Sequence, residues 1–551
     1  MNRLLAIPEE SFTLYHRDPV EAIRSLWGDP SLAKDIVYKP SKIFQDESKN
    51  CRVYNEMWTG KWWWTVQSTL PSGHTLAPVI IATDKTSLTN FSGGKAAYPV
   101  YLTLGNIPKA KRRKLNHRAC VLIAYLPVDK AVPQSGDTPA DVKCKTYQIF
   151  HDAMRVVLQP LSDAGKEGVR LTGGDGEVRI VHPILAAYVA DYPEQCLVTL
   201  AKYGTCPRCR VVATELQNQT EHEARTRQFT MDTIKNARRQ VPSGVNNRRR
   251  KVHSRCMQSD VAGGTFDPFW ATFPSTCDIH GAMTPDILHQ LYQGVLVHLI
   301  NWTQAVMTEA NLDRRIRLLA PTFGVRPFKN GISALKQVSG TERKHIAKIL
   351  LACLAPVMPK KGIQACKAIL DFIYLAQYQS HDEVTLGYMQ EALDQWEEHR
   401  DFFIDKGTRK HFNIPKFHSL QHYINAIRFL GTTDNFNTEL FERLHIDFAK
   451  EGWRASNKRD HFPQMIKWLS RREKISSFDY HLSESLKLDG DNQEDGDNQE
   501  DGDNQEDRDG LVRDRDDVLG IIEEELHARV SKEDRMIVDS GKKQPILCQP
   551  I

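Results

Sequence analysis

LAPVIIATD, from Leu76 to Asp84, and EVRIVHPILAAYVAD, from Glu177 to Asp191, decide the fold. Both are apolar, β-branched runs that end in a carboxylate. Two similar runs lie between them, YPVYLTLGNI (Tyr98 to Ile107) and ACVLIAYLPV (Ala119 to Val128). Glycine, proline, asparagine or a basic cluster bounds each run, so each predicts a buried strand. Three successive strands followed by a fourth fit a mixed sheet with helices, an α/β core. From about Leu216 to Phe412 the pattern turns helical: Ile346 to Val357 and Ile363 to Tyr378 are apolar, and Glu391 to Phe403 is amphipathic. Another helix candidate follows, TELFERLHIDFAKE from Thr438 to Glu451. A helical insertion inside an α/β domain accounts for this order, and so do two independent domains.

The chain has 551 residues, 40% hydrophobic and 26% charged. That composition is globular rather than disordered or fibrous. No run of 18 apolar residues predicts a membrane span, and MNRLLAIPEESFTLYH lacks the apolar stretch of a secretory signal. Eleven scattered cysteines argue against a disulfide scaffold and for a reducing compartment. The net charge of +4 hides an asymmetry. Between Asp489 and Asp509 eleven acids face one arginine, a local charge of −10, so the remainder carries 4 + 10 = +14. A basic body fits a polyanionic partner, most simply nucleic acid, or else ordinary surface charge. The acidic stretch is DGDNQE three times in tandem, with no aliphatic or aromatic residue, and predicts a disordered linker. Asp516 to Val538 predicts a short charged helix.

Several residues could carry chemistry. Asp84 and Asp191 at strand ends, joined by a glutamate from a helix, would make an oxygen-rich site for Mg²⁺ or Mn²⁺. Strand-end aspartates also serve as turn formers and helix caps. Cys206-Pro-Arg-Cys209 has the spacing of half a zinc site, or of a redox pair. His418 and His422 lie four apart, so one helical face presents both imidazoles, as ligands or as a half-buried face. Asp286 and His289, in TPDILHQLYQG, share a helical face, with Thr284 as expected N-cap and Pro285 in the first turn. Capping and a His–Asp hydrogen bond would account for that pair without function. The clusters KAKRRK (Lys109 to Lys114) and RRRK (Arg248 to Lys251) suit phosphate contact, nuclear import or solvated loops. Trp58, Trp62, Trp63 and Trp64 suit base stacking or, more simply, core packing.

Taken in order, MWTGKWWWTVQSTLPSGHTLAPVIIATDKTSLTNFSGGKAAYPVYLTLGNIPK, ADYPEQ with CPRC, TPDILHQLYQGV, FKNGIS, ILDFIYLAQY, FNIPKFHSLQHY and TELFERLHIDFAKEGWRASNKRD resemble the Plavaka transposases of fungal genomes, relatives of the CACTA cut-and-paste elements. The resemblance runs from HRDPVEAIRSLWGDP to residue 460. It implies an RNase H-like DDE catalytic core interrupted by a large all-helical insertion, with a disordered acidic tail. The expected divisions are an N-terminal segment 1–75, the first part of the core with the CxxC knuckle 76–215, the insertion 216–412, core completion with the glutamate helix 413–475, and the acidic linker and tail 476–551. Asp84 would be the first catalytic carboxylate and Asp191 the second. Glu442, preceding Arg443, matches the pattern better than the alternate Glu439. Asp286 and His289 match the C/D-x-x-H motif of the insertion. Cys206, Cys209, His418 and His422 resemble the zinc ligands of related recombinases. Family members usually carry an N-terminal C2H2-type zinc finger, and no such pattern precedes Trp58.

The implied activity is cleavage and joining of DNA phosphodiesters at transposon ends, with Mg²⁺ or Mn²⁺ at the triad and structural Zn²⁺. The implied partner is double-stranded DNA, without a membrane, bound by a homodimer or higher oligomer in the nucleus. The rival is a catalytically inactive, transposon-derived DNA-binding protein. A phosphohydrolase acting on small substrates fits the +14 body poorly. The acidic repeats can pack nothing, but ten net negative charges tethered to a basic body compete with phosphates. Deleting Asp489 to Asp509 should leave thermal stability unchanged and tighten non-specific DNA binding at low salt, an advantage that shrinks as salt rises. Equal affinities across a salt series would make the segment an inert tether.

Overall fold

The computed structural model describes residues 11–89, 94–355, 357–491 and 549–550. The acidic repeats from residue 492 onward and the predicted helix 516–538 lie outside them. Residues up to Met465, with the C-terminal end, form one compact unit, and residues from Ile466 begin a second. In the first unit a mixed sheet holds β1 (Tyr15–His16), β2 (Thr75–Thr83), β3 (Pro99–Leu104), β4 (Cys120–Tyr125), β5 (Val169–Thr172), β6 (Val178–Val189) and β7 (Gln549–Pro550), in the order β7-β1-β4-β3-β2-β6-β5. The four strands expected from sequence are present as β2, β3, β4 and β6. β2, β3 and β4 form an antiparallel meander, and β6 returns parallel to β2. All six residues of β3 and the last nine of β6 are buried, which is why these strands show unbroken apolar runs rather than alternation.

Between β4 and β5 runs a 29-residue helix, α1 (Pro139–Glu167), that sequence patterning did not single out. It opens with a capping box: Thr138 and Asp141 each accept from the other's backbone amide, with Pro139 in the first turn. Its buried face includes Ile149, Ala153, Met154, Val157 and Leu161. The helices Arg227–Gln240 and Arg248–Cys256 follow the sheet, and the second is fastened to α1 by Arg249 on Gln148 and Arg250 on Asp141. A separate helical core spans Ile287 to Ile427, where Trp302 stacks on Phe417 with centroids 5.2 Å apart. A small sheet, His381–Asp382 on Arg52–Tyr54 on Ile43–Phe44, joins this helical body to the N-terminal segment.

The basic clusters are partly braces. Lys109 is buried and donates to Asp434 at 2.8 Å, Thr432 and the Gln379 carbonyl. Arg112 is buried and donates to the Asn435 backbone and side chain. These side chains hold the segment before the TELFER helix and are not available to phosphates. Trp62 and Trp63 are buried, as core packing requires, while Trp64 is half-exposed under Lys42. The ten described cysteines are all free thiols. Among the described residues no helix is long and apolar enough to cross a membrane.

His151 on α1 is fully buried, stacks on Phe269, donates from Nε2 to the Leu197 carbonyl at 3.1 Å and accepts the Phe269 amide at Nδ1. Burial pushes its pKa down to about 3. The unfolded chain takes up this proton below about pH 6.5 and the folded chain does not, so stability falls as pH drops through that window. Between pH 7 and pH 5 His151 should cost about 2 kcal/mol of unfolding free energy. Urea titrations at the two pH values should show His151→Gln losing about that much of the wild-type pH dependence.

Candidate active site

The β2–β6 pairing fixes the centre of the site. Ala82 is the Cα partner of Val189, and Asp84 and Asp191 each follow their partner by two residues. Two parallel neighbours about 4.8 Å apart therefore deliver both aspartates to the same end of the sheet. Asp191 caps α2 (Tyr192–Thr199), accepting the Glu194 amide at 3.0 Å. Burial raises its pKa; the Glu194 amide and the charge of His289 oppose that, and the charges of Asp84 and Asp286 add to it.

Sequence reading missed a further carboxylate. Glu194 extends from the first turn of α2 and accepts hydroxyls from Thr83 and Tyr98. Burial pushes its pKa up to about 8; the two hydroxyls oppose the rise and the charges of Asp191 and Asp84 add to it. No periodicity marks Glu194. Its one local signal is the D-Y-P-E helix start, where an acid in the first turn is common.

Beyond α2 the chain returns to the sheet. Met283 bridges in parallel to Tyr188, whose amide donates to the Ala282 carbonyl at 2.8 Å. The next turn starts α3, a π-wound helix (Ile287–Val295) whose N-cap is Asp286, not Thr284 as the sequence suggests. Thr284 instead donates to the Tyr188 carbonyl. The fully buried Asp286 carboxylate accepts Leu288 and His289 amides, the Thr438 hydroxyl at 2.6 Å and His289 Nδ1 at 3.0 Å. Burial opposes this charge, but those bonds outweigh it and hold the carboxyl below its ordinary value.

His289 then reaches Glu442 Oε1 through Nε2 at 2.9 Å. Burial disfavours its charged form, yet the bonds to Asp286 and Glu442 raise its pKa to about 10. Glu442 sits on α5 (Thr438–His445), whose Phe441 and Leu444 are buried. One turn earlier Glu439 pairs with Lys344 and makes no bond to His289. One turn later His445 lies between the Tyr101 hydroxyl, 3.0 Å from Nδ1, and Asp84, whose Oδ2 accepts from Nε2 at 3.2 Å. α5 thus spans from His289 beside Asp191 to His445 on Asp84. Lys416 adds a cation, donating to the His289 carbonyl at 2.8 Å. His445 and Lys416 were not singled out from sequence, because only the tertiary fold brings them here.

A second cluster lies behind α2. Cys206 Sγ is 3.2 Å from His422 Nε2, Cys209 Sγ is 3.1 Å from His418 Nε2, and the four ligand atoms lie within 4.8 Å of one another. His418 Nδ1 donates to the Leu216 carbonyl at 3.1 Å, which leaves Nε2 free as a lone-pair donor. Burial opposes ionisation of Cys206, but the hydrogen bond from the Cys209 thiol and the charge and hydrogen bond of His422 pull it well below its ordinary value. Two sulfurs and two imidazole nitrogens at such separations suit a tetrahedral zinc ion. Cys277 and His280, the other pair near the knuckle, are not members: His280 Nδ1 donates to the Pro207 carbonyl and Nε2 bonds Thr230.

Residues 4–303 match the family model of the Plavaka transposase. That is more than half of the 551 residues, and the chain belongs to the Plavaka transposase family. The matched span holds Asp84, Asp191, Cys206, Cys209, Asp286 and His289 and ends before His418. Among curated proteins none matches the chain.

Proposed function

We propose that the chain is a DDE transposase core that cleaves and joins DNA phosphodiesters at transposon ends, acting on nuclear DNA. The observation that carries this reading is the equal offset of Asp84 and Asp191 on adjacent parallel strands, with Glu442 linked to the same place through His289. The meander β2-β3-β4 with β6 parallel to β2 supports an RNase H-like core, which orders its strands this way. Three carboxylates suit Mg²⁺ or Mn²⁺, and a pair of such ions would activate the attacking oxygen and neutralise charge on the phosphate. The chain's own part is placement. Asp84 is steered by His445 and Tyr101, Asp191 is fixed as a helix cap, and Glu442 is held by His289. Asp286, bonded to His289 and Thr438, orients that imidazole as a positioning residue. Glu439 is better explained as the partner of Lys344.

The Cys206, Cys209, His418 and His422 set supports structural zinc, which would crosslink the loop after α2 to the segment 20 residues before Glu442. Purified protein should contain one zinc per chain, and Cys206→Ser or His418→Asn should lose it and melt at lower temperature. Folded wild-type protein free of zinc would refute the assignment.

Nicking of a supercoiled plasmid carrying the flanks of the coding locus, with Mn²⁺, tests the catalytic reading. Asp84→Asn, Asp191→Asn and Glu442→Gln should each abolish nicking while DNA affinity stays nearly intact. Glu439→Gln should have a modest effect, and His445→Ala should lower the rate about 10- to 100-fold by freeing Asp84. DNA binding without cleavage by the wild-type chain would favour the inactive, transposon-derived DNA-binding protein instead.

A further inference from the structure

We infer that the loop Leu318–Phe323 is a DNA contact that lays Phe323 against an unstacked base; this rests on the transposase reading above. Phe323 is 105% exposed and Leu318 76%, beside the half-exposed Leu319. Most exposed apolar residues are scattered singly, but these three fall within six residues, Leu318 and Leu319 at the end of the helix Glu309–Arg317 and Phe323 in the turn that follows. Its stem is firmly anchored. Leu312 and Ile316 are buried on one side, Phe328 and Ile332 on the other. Asp313 closes the base by accepting the Ile332 amide at 2.7 Å and the Ser333 amide at 3.2 Å. The apolar tip is therefore held out on a fixed support.

Charge selects the partner. From residue 314 to residue 338 there are four arginines and two lysines and no acid. Arg314, Arg317, Lys329 and Lys336 are exposed. An aromatic ring flanked by exposed cations fits a phosphate backbone with an accessible base face, since cations hold the backbone and any base can stack. Location adds to the case. The Arg326 amide donates to His345 Nδ1 at 3.1 Å, and the neighbouring Lys344 pairs with Glu439, one turn from Glu442. The helix α4 (Gly340–Leu354) carrying both residues starts so close to Leu288 of α3 that a Cβ on Gly340 would strike its side chain. The segment after the loop thus connects to the glutamate helix through the Arg326–His345 bond and the Lys344–Glu439 pair. Intact duplex offers no free base face, whereas DNA opened for cleavage does, so the contact should be selective for opened DNA.

The test uses the full chain and two fluorescent 30-base-pair duplexes, one intact and one with two unpaired bases including 2-aminopurine. Fluorescence anisotropy should show Phe323→Ala weakening binding to the opened duplex about five-fold or more and losing 2-aminopurine quenching. Affinity for intact duplex should change less than about two-fold, and Phe323→Trp should restore both signals. Unchanged affinity and quenching in Phe323→Ala would overturn the inference while leaving the transposase reading standing. So would a dimer in sedimentation that Phe323→Ala converts to monomer without a DNA effect, which would assign the tip to a second copy of the chain. Failure of the wild-type chain to bind either duplex would overturn both readings.

Discussion

Parallel pairing of β2 with β6 forces Asp84 and Asp191 to the same end of the sheet, and much of the surrounding structure answers the charge this creates. Two unit charges roughly 5 Å apart repel by about 3 kcal/mol at an effective dielectric of about 20. Burial of Asp191 adds to that cost. The fold offsets it with donors and cations from elements far apart in sequence: the Glu194 amide, His289, His445 and Lys416. Glu194, beside both aspartates, responds differently; its carboxyl is pushed toward the neutral form. The site therefore concentrates acids while burial and mutual repulsion suppress part of their charge.

The helical body contributes placement. α5 follows the helical body, and the segment before it is tied by Lys109 and Arg112 to Asp434 and Asn435. Those two side chains come from the short helix Lys109–Arg112 after β3, within the sheet region. The Cys/His cluster makes the equivalent tie on the other side, joining the loop after α2 to the segment around His418. The glutamate helix is thus held between two connections to the sheet, so a long insertion does not leave Glu442 free to drift.

The strands were legible because full burial on both faces writes a continuous apolar run, and β2, β3, β4 and β6 all carry one. Cys206, Cys209, His418 and His422 were legible because ligand pairs at fixed spacing stand out from the background. Three features were not. α1 carries the local signal Thr138-Pro139-Ala140-Asp141, but its hydrophobic face alternates with many polar residues and no motif draws the eye. Glu194, His445 and Lys416 matter only through contacts spanning tens to hundreds of residues, which periodicity cannot report. KAKRRK misleads for the opposite reason: sequence records the charges of Lys109 and Arg112 but not the buried carboxylate and carbonyls waiting for them.

The two imidazoles that hold carboxylates share one further trait. His289 lies within the π-wound Ile287–Val295, and His445 immediately precedes a second π-wound turn, Ile446–Lys450. Such winding is rare and occurs mostly at functional sites, because it forgoes regular helical hydrogen bonding. It persists here where side chains fix it from outside. Asp286 caps the first turn, and the Tyr423 hydroxyl donates to the Asp286 carbonyl at 2.8 Å. Tyr101 holds His445, and Tyr125 donates to the Phe448 carbonyl inside the second turn. Both tyrosines of the second set come from the meander, β3 and β4. The strands that position Asp84 therefore also set the winding of the helix end that steers it, which couples the sheet to the geometry of the carboxylates beyond mere proximity.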